Sequence, residues 1–146
     1  MMHSVLLLIH LIFAGLWLGC IVTEALFERA LLGKGRDHEL LLVDLHKRVD
    51  QFVEIPAFLI VLITGILMLP EVSWNVALLF KLGFGSAAVA ANIYCAWLVF
   101  QRAAAAHAGR WDEFERLDHL QHKFGAIVLF SLLFALAMGV YLYAHV

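Results

Sequence analysis

His10, Ala14, Trp17, Ile21, Glu24 and Glu28 follow one another at alternating intervals of four and three, so a helix carries them on a single face. His46, Asp50, Val53, Ala57 and Thr64 form a second such stripe, and Lys81, Gly85, Ala88, Asn92 and Cys95 a third. His119 and His122, three apart, share a face of a fourth segment. Carboxylates and imidazoles converging from several helices are the donor set of non-haem iron, manganese and zinc, and helical bundles hold one or two such ions between facing helices. The oxygen donors of such a site are Glu24, Asp50 and Glu54, and its nitrogen donors are His46 and His122, with Glu28 and His119 close by. Iron leads among the metals, followed by manganese, zinc and copper. Cys95 or Asn92 would stand beside the ion. The Glu-x-x-His pair usual in such bundles is absent; His119-x-x-His122 and Asp118-x-x-x-His122 are the nearest substitutes. The competing expectation is an ion-pair network, with Glu24, Glu28 and Glu54 matched to Arg48, Arg116 or Lys123. His38, His107 and Asp112 read as solvated loop residues.

His10 and Lys81 make a second constellation, each about 10 Å inside the far boundary of its apolar segment at ~1.5 Å per residue. A histidine at that depth suits axial ligation of haem b, with Lys81 near a propionate. Alternatively His10 bonds a helix carbonyl and Lys81 snorkels to the surface.

The elements that carry these residues are apolar. The chain has 146 residues, 64% of them hydrophobic, with a mean hydropathy of +0.90. Its apolar runs are Val5–Val22, Phe52–Leu69, Val76–Phe100 and Phe124–Ala144, each near the ~20 residues that cross a ~30 Å hydrocarbon layer as helix. The expected fold is therefore all-α: one integral-membrane four-helix domain over residues 1–146. The first run lacks the basic flank and small-residue cleavage site of a removed signal, and nothing charged precedes Leu18-Gly19-Cys20 as it would in a lipoprotein leader. Cys20 and Cys95 are the two cysteines, both inside spans, so there is no disulfide framework and no Cys-x-x-Cys metal motif.

Arg29, Lys34, Arg36, Lys47 and Arg48 lie between the first two spans, and Arg102, Arg110, Arg116 and Lys123 between the last two; only Lys81 falls elsewhere. The positive-inside rule makes both connections cytoplasmic and puts the N- and C-termini outside. The net charge of −2 argues against nucleic acid as a partner. The lipid bilayer is the expected partner, with Gly85, Ala88 and Ala91 permitting close packing in a homo-oligomer or a larger membrane complex. After a break at Gly33-Lys34-Gly35, residues 38–56 contain no glycine, and Trp111 to His122 leads straight into the last run. Helices two and four should therefore extend beyond the lipid on the cytoplasmic side, with Pro56 kinking the second. Counting rise from the outer ends brings Glu24, Asp50 and Cys95 to one level, roughly 30 Å in.

The segment His10-Leu-Ile-Phe-Ala-Gly-Leu-Trp17-Leu-Gly19 resembles the opening helix of the copper-resistance protein D (CopD) superfamily, which includes the HemJ-type protoporphyrinogen oxidases. Lys47-Arg48 followed by Ile55-Pro56-Ala57-Phe58 and Gly65 is similar to the second HemJ helix, and Phe80-Lys81-Leu82 to its lysine-bearing third. The resemblance implies a four-helix protein of a bacterial-type inner (plasma) membrane and a b-type haem, with the functional histidine and lysine at His10 and Lys81. Its copper-resistance branch implies copper handling, possible without catalysis, yet Met1, Met2, Met68 and Met138 are scattered rather than clustered as soft Cu(I) would select. Two departures stand out. Leu26 replaces the HemJ arginine after the first helix, and the family lacks the cluster of Glu24, His46, Asp50, Glu54 and His122. Those departures favour a relative that does redox chemistry with a different metal.

Overall fold

A computed structural model describes residues 2–145, and all regular structure among them is helical. Helix α1 covers Met2–Leu31; α2, Arg36–Val49; α3, Ile55–Met68; α4, Val76–His107; and α5, Trp111–Ala144. A π-helical turn, Asp50–Glu54, joins α2 to α3, and a 3₁₀ turn, Leu69–Glu71, closes α3. The chain thus forms four rods of 30, 36, 32 and 34 residues, each long and apolar enough to cross a membrane. It is a multi-pass membrane protein. At ~1.5 Å per residue every rod exceeds a ~30 Å hydrocarbon layer by 15 Å or more, so α1 and α4 outrun their apolar segments as well as the second and fourth rods.

The charged stretches between the apolar runs are helical, as expected, and only short turns separate the rods. Gly33, Gly35 and Gly109 adopt positive φ at 74°, 115° and 74°. Gly35, at ψ 160°, occupies backbone space that is essentially closed to other residues. Gly35→Ala should therefore cost roughly 1–3 kcal/mol, read as a lower midpoint on denaturant titration in detergent. An unchanged midpoint would show that the turn is not held in this conformation. At the opposite end, Asn75 caps α4, its side-chain oxygen accepting the Leu78 N–H at 2.8 Å.

The π turn has a local cause. Pro56 has no N–H, and its ring collides with the carbonyl four residues back, here that of Phe52. The helix accommodates one extra residue there, and the Ile55 N–H reaches five residues back to Asp50. His46, Asp50 and Glu54 are spaced four and four, which on a regular α-helix drifts about 40° per step. The widened turn winds that drift back, so all three are buried. Glu54 takes the inward position that simple periodicity assigned to Val53.

Two apolar layers sandwich these polar residues. One joins Ala14, Trp17, Phe58, Val61, Ala88 and Leu132. The other, near the Gly33 and Gly109 turns, joins Val43, Leu98, Ala103, Ala106, Phe114 and Leu117. Helices α4 and α5 form the main hairpin, α1 packs on α3, and α2 packs on α4. On α1 the buried stripe is Ala14, Trp17, Cys20, Glu24 and Glu28, with Cys20 rather than Ile21 fully inside.

A buried acid, histidine and arginine cluster as candidate metal centre

Between the two apolar layers, α1 contributes Glu24 and Glu28, the α2–π segment His46, Asp50 and Glu54, α4 Asn92 and Arg102, and α5 Asp118 and Gln121, all of them buried. His46 is the hub. Its Nε2 lies 3.2 Å from Glu24 Oε2 and 3.8 Å from Asp50 Oδ1, while its Nδ1 lies 3.0 Å from Glu28 Oε1. The two ring nitrogens therefore have different tasks. With Nδ1–H donated to Glu28, the ring orientation is set, and Nε2 faces the carboxylates. Metal-ligating histidines are supported by a partner on the second nitrogen in this way. Single donor atoms from Glu24, His46 and Asp50 lie within 4.8 Å of one another, and Glu54 lines the same cavity.

Glu28 is held from behind. Arg102 donates from Nη2 to Glu28 Oε1 and from Nη1 to Asp118 Oδ1, both at 2.6 Å. Its guanidinium lies over the Phe114 ring, 5.7 Å from the centroid, within cation–π range. The sequence puts Arg102 in the charged connection between the last two spans, and the expected counter-charges were Arg48, Arg116 or Lys123. The structure corrects this: Arg102 is 0% exposed, whereas Arg48, Arg116 and Lys123 are all exposed. Arg102 lies in a run of alanines, Ala103–Ala106, that lets α4 approach its neighbours closely, so a position in the charged stretch between apolar runs lies inside the bundle. Gln121 was also missed; its amide nitrogen sits 3.3 Å from His46 Nδ1. Its i,i+3 relation to Asp118 was the available signal.

Asp118 and Glu28, already bound to Arg102, could form a second donor group with His122. His122 is half-exposed, 3.4 Å from Asp118 Oδ1, and its Nδ1 contacts its own helix at the Asp118 carbonyl, 2.8 Å away. It stands at the mouth of the site rather than beside His46. His119 is exposed and takes no part. His107, expected as a solvated loop residue, ends α4 and meets Asp44 at 2.7 Å on the surface.

Among the described residues, five buried carboxylates (Glu24, Glu28, Asp50, Glu54 and Asp118) share this region with two buried basic side chains, His46 and Arg102. Glu24 Oε1, Glu28 Oε2, Asp50 Oδ1 and Gln121 Oε1 are buried without a hydrogen-bond partner. Isolated buried charges and unsatisfied acceptors are expensive, so the excess must be met by added cations, by protons or by donors from a ligand. A cavity of about 370 Å³ opens onto these groups. Cys95 lines it, with Sγ 3.9 Å from the Gln121 carbonyl. Asn92 closes the inner side by accepting the Trp17 indole N–H at 2.8 Å.

His10 lies apart from this centre. The Thr64 hydroxyl is bonded to the Ile60 and Val61 carbonyls at 2.7 and 3.1 Å, which engages its hydrogen. It therefore accepts Nδ1–H from His10 at 2.9 Å, leaving Nε2 as the free lone pair. Gly65 lies against the ring: a Cβ there would stand 3.4 Å from His10 Cε1. Lys81 instead lies along Gly139 of α5, its Cε 3.5 Å from where a Cβ would be. The two residues thus pack against different helices.

No family model, curated protein or solved structure matches this chain. The residues of the site carry its functional interpretation.

Proposed function

We propose that this chain is a membrane metalloprotein with a redox role, holding one transition metal between Glu24, His46, Asp50 and Glu54. The observation that carries this reading is the meeting of two carboxylates, Glu24 and Asp50, at His46 Nε2, with Glu24 Oε1 and Asp50 Oδ1 buried without a hydrogen-bond partner and Glu54 lining the same cavity. Three oxygen donors and one imidazole nitrogen suit iron or manganese, then zinc, with copper last. The bound ion would supply one-electron chemistry. Glu28 fixes the His46 ring, Arg102 ties Glu28 to Asp118, and the two apolar layers bound the site at either end.

The charge pattern supports an orientation with the Gly33 and Gly109 turns in the cytoplasm and both termini outside, in a plasma membrane of bacterial type. In this frame the helices extend past the lipid on the cytoplasmic side, and the metal sits near that boundary.

Protein purified in mild detergent should contain close to one equivalent of metal and lack a Soret band. Metal content should fall as the pH is lowered, because protons compete for the carboxylates and for His46 Nε2. Metal-free protein, or metal occupancy indifferent to acid, would overturn the reading.

The free Nε2 of His10 favours a second reading, a b-type haem protein of the HemJ kind with Lys81 beside a propionate. A Soret band lost on His10→Ala would establish it. Loss of neither cofactor would favour a copper-transport or structural subunit, and sedimentation of the detergent complex would separate a monomer from a homo-oligomer.

A further inference from the structure

Exposed cations gather at one level of the bundle, toward the end that bears the Gly33 and Gly109 turns. Arg29 follows Leu26 by three residues, Lys47 and Arg48 precede Phe52 by five and four, and Lys123 adjoins Phe124. All of these cations are exposed, and Leu26 and Phe52 beside them are 61% and 71% exposed. Aromatic residues mark the same level on α4. Trp97 and Tyr94 are exposed, their rings stack at 5.7 Å, and Tyr94 meets Phe124 edge-on at 4.6 Å. Exposed tryptophan and tyrosine favour the boundary between hydrocarbon and water. Lys47 reaches this level from α2, with Nζ 5.5 Å from the Phe100 ring centroid.

The charges here are sorted by side. Glu24, Glu28, Asp50, Glu54 and Asp118 are buried inside the bundle. On α2 and α5 the nearest outward carboxylates, Asp44 and Glu115, stand about 12 Å or more from Phe52 and Phe124 along their helices. Both are engaged already, Asp44 by His107 and Glu115 by Arg36. Among the described residues, none of Arg29, Lys47, Arg48 and Lys123 pairs with a carboxylate. Arg36 and Arg110, farther from the apolar runs, do pair, with Glu39 and Glu113. The outer surface at this boundary is therefore a belt of positive charge without counter-ions from the chain.

We infer that this belt docks the headgroups of acidic phospholipids. The phosphate meets Lys47 and Arg48, or Arg29 and Lys123 farther round the bundle, while the acyl chains lie along the apolar surface that begins at Phe52 and Leu26. A partner that is anionic at one end and apolar immediately beyond it is an amphiphile of the membrane, which an acidic soluble protein does not match. Basic residues next to a membrane are attracted to acidic lipids in this way. The belt faces outward, so the inference does not rest on the metal reading.

The test is native mass spectrometry of the full-length protein in neutral detergent, titrated with dioleoyl phosphatidylglycerol or with dioleoyl phosphatidylcholine. The wild type should bind the acidic lipid roughly tenfold or more tightly than the zwitterionic one. The double variant Lys47→Gln, Arg48→Gln should lose most of that preference. Lys34→Gln, Arg116→Gln removes the same charge from exposed positions farther from the apolar runs, and should keep it. Equal binding of the two lipids by the wild type, a preference untouched in the Lys47 and Arg48 variant, or an equal loss in the Lys34 and Arg116 variant would overturn the assignment. Displacement of phosphatidylglycerol by millimolar inorganic phosphate would also overturn it, by reducing the belt to a site for any small anion.

Discussion

His46→Ala should abolish the proposed metal binding, lowering affinity by roughly 100-fold or more, beyond the 10–100-fold typical of losing a supporting residue. His46 is the sole nitrogen donor facing Glu24 and Asp50, at 3.2 and 3.8 Å, and its loss also releases Glu28 from the ring. Glu24→Gln should act in the same direction, since it removes a charge while keeping the shape. His10→Ala and His119→Ala should leave metal content intact: His10 belongs to the Thr64 contact and His119 is exposed. His122→Ala, at the cavity mouth, should have a smaller effect than His46→Ala. Elemental analysis after dialysis against a graded chelator series would measure all five variants together. Metal retained in full by His46→Ala would move the centre elsewhere.

Arg102→Ala should be the most destabilising single change in the protein. It leaves Glu28 with the His46 ring alone and Asp118 with only the half-exposed His122 nearby, and breaking a buried pair from one side typically costs about 3–5 kcal/mol. The penalty belongs to the stranded carboxylates rather than to the lost contacts alone. Adding Glu28→Gln and Asp118→Asn to the Arg102→Met background should therefore recover much of the stability, because an apolar or neutral replacement of a whole buried ion group is often tolerated. Denaturant titration in detergent of the single and triple variants tests the idea. A cost under about 1 kcal/mol for Arg102→Ala would place the arginine in water, as surface pairs behave. A triple variant no better than the single would assign the loss to packing against Phe114.

Arg102 also shows where sequence reading stops. Its neighbours along the chain suggested a charged connection, and nothing in spacing distinguishes a buried arginine from a solvated one at a helix end. Burial depended on alanines after it on α4 and on Glu28 and Asp118, which are 74 and 16 residues away. The α1 stripe was legible because it is local: period alone puts Ala14, Trp17, Glu24 and Glu28 on one face, and all four are buried. Glu54 was legible as a residue type but not in its direction. Its inward turn depends on the π-helical widening before Pro56, a backbone adjustment that a regular 3.6-residue period does not include. His119 and His122 were paired by spacing, yet both are exposed and the buried α5 positions beside them are Asp118 and Gln121. The face that an amphipathic end turns inward is chosen by its neighbours.

From composition and period alone, the chain determined four membrane-length helices, the breaks at Gly33 and Gly35, and the faces of α1 and α2 that bear ionisable groups. Those properties follow from transfer free energy and helix geometry, which act along a few consecutive residues. Tertiary structure decided which charges meet: Arg102 with Glu28 and Asp118, and His46 between Glu24 and Glu28. Such choices depend on the register between helices, which is set by packing of side chains distant in sequence, and no local pattern encodes it.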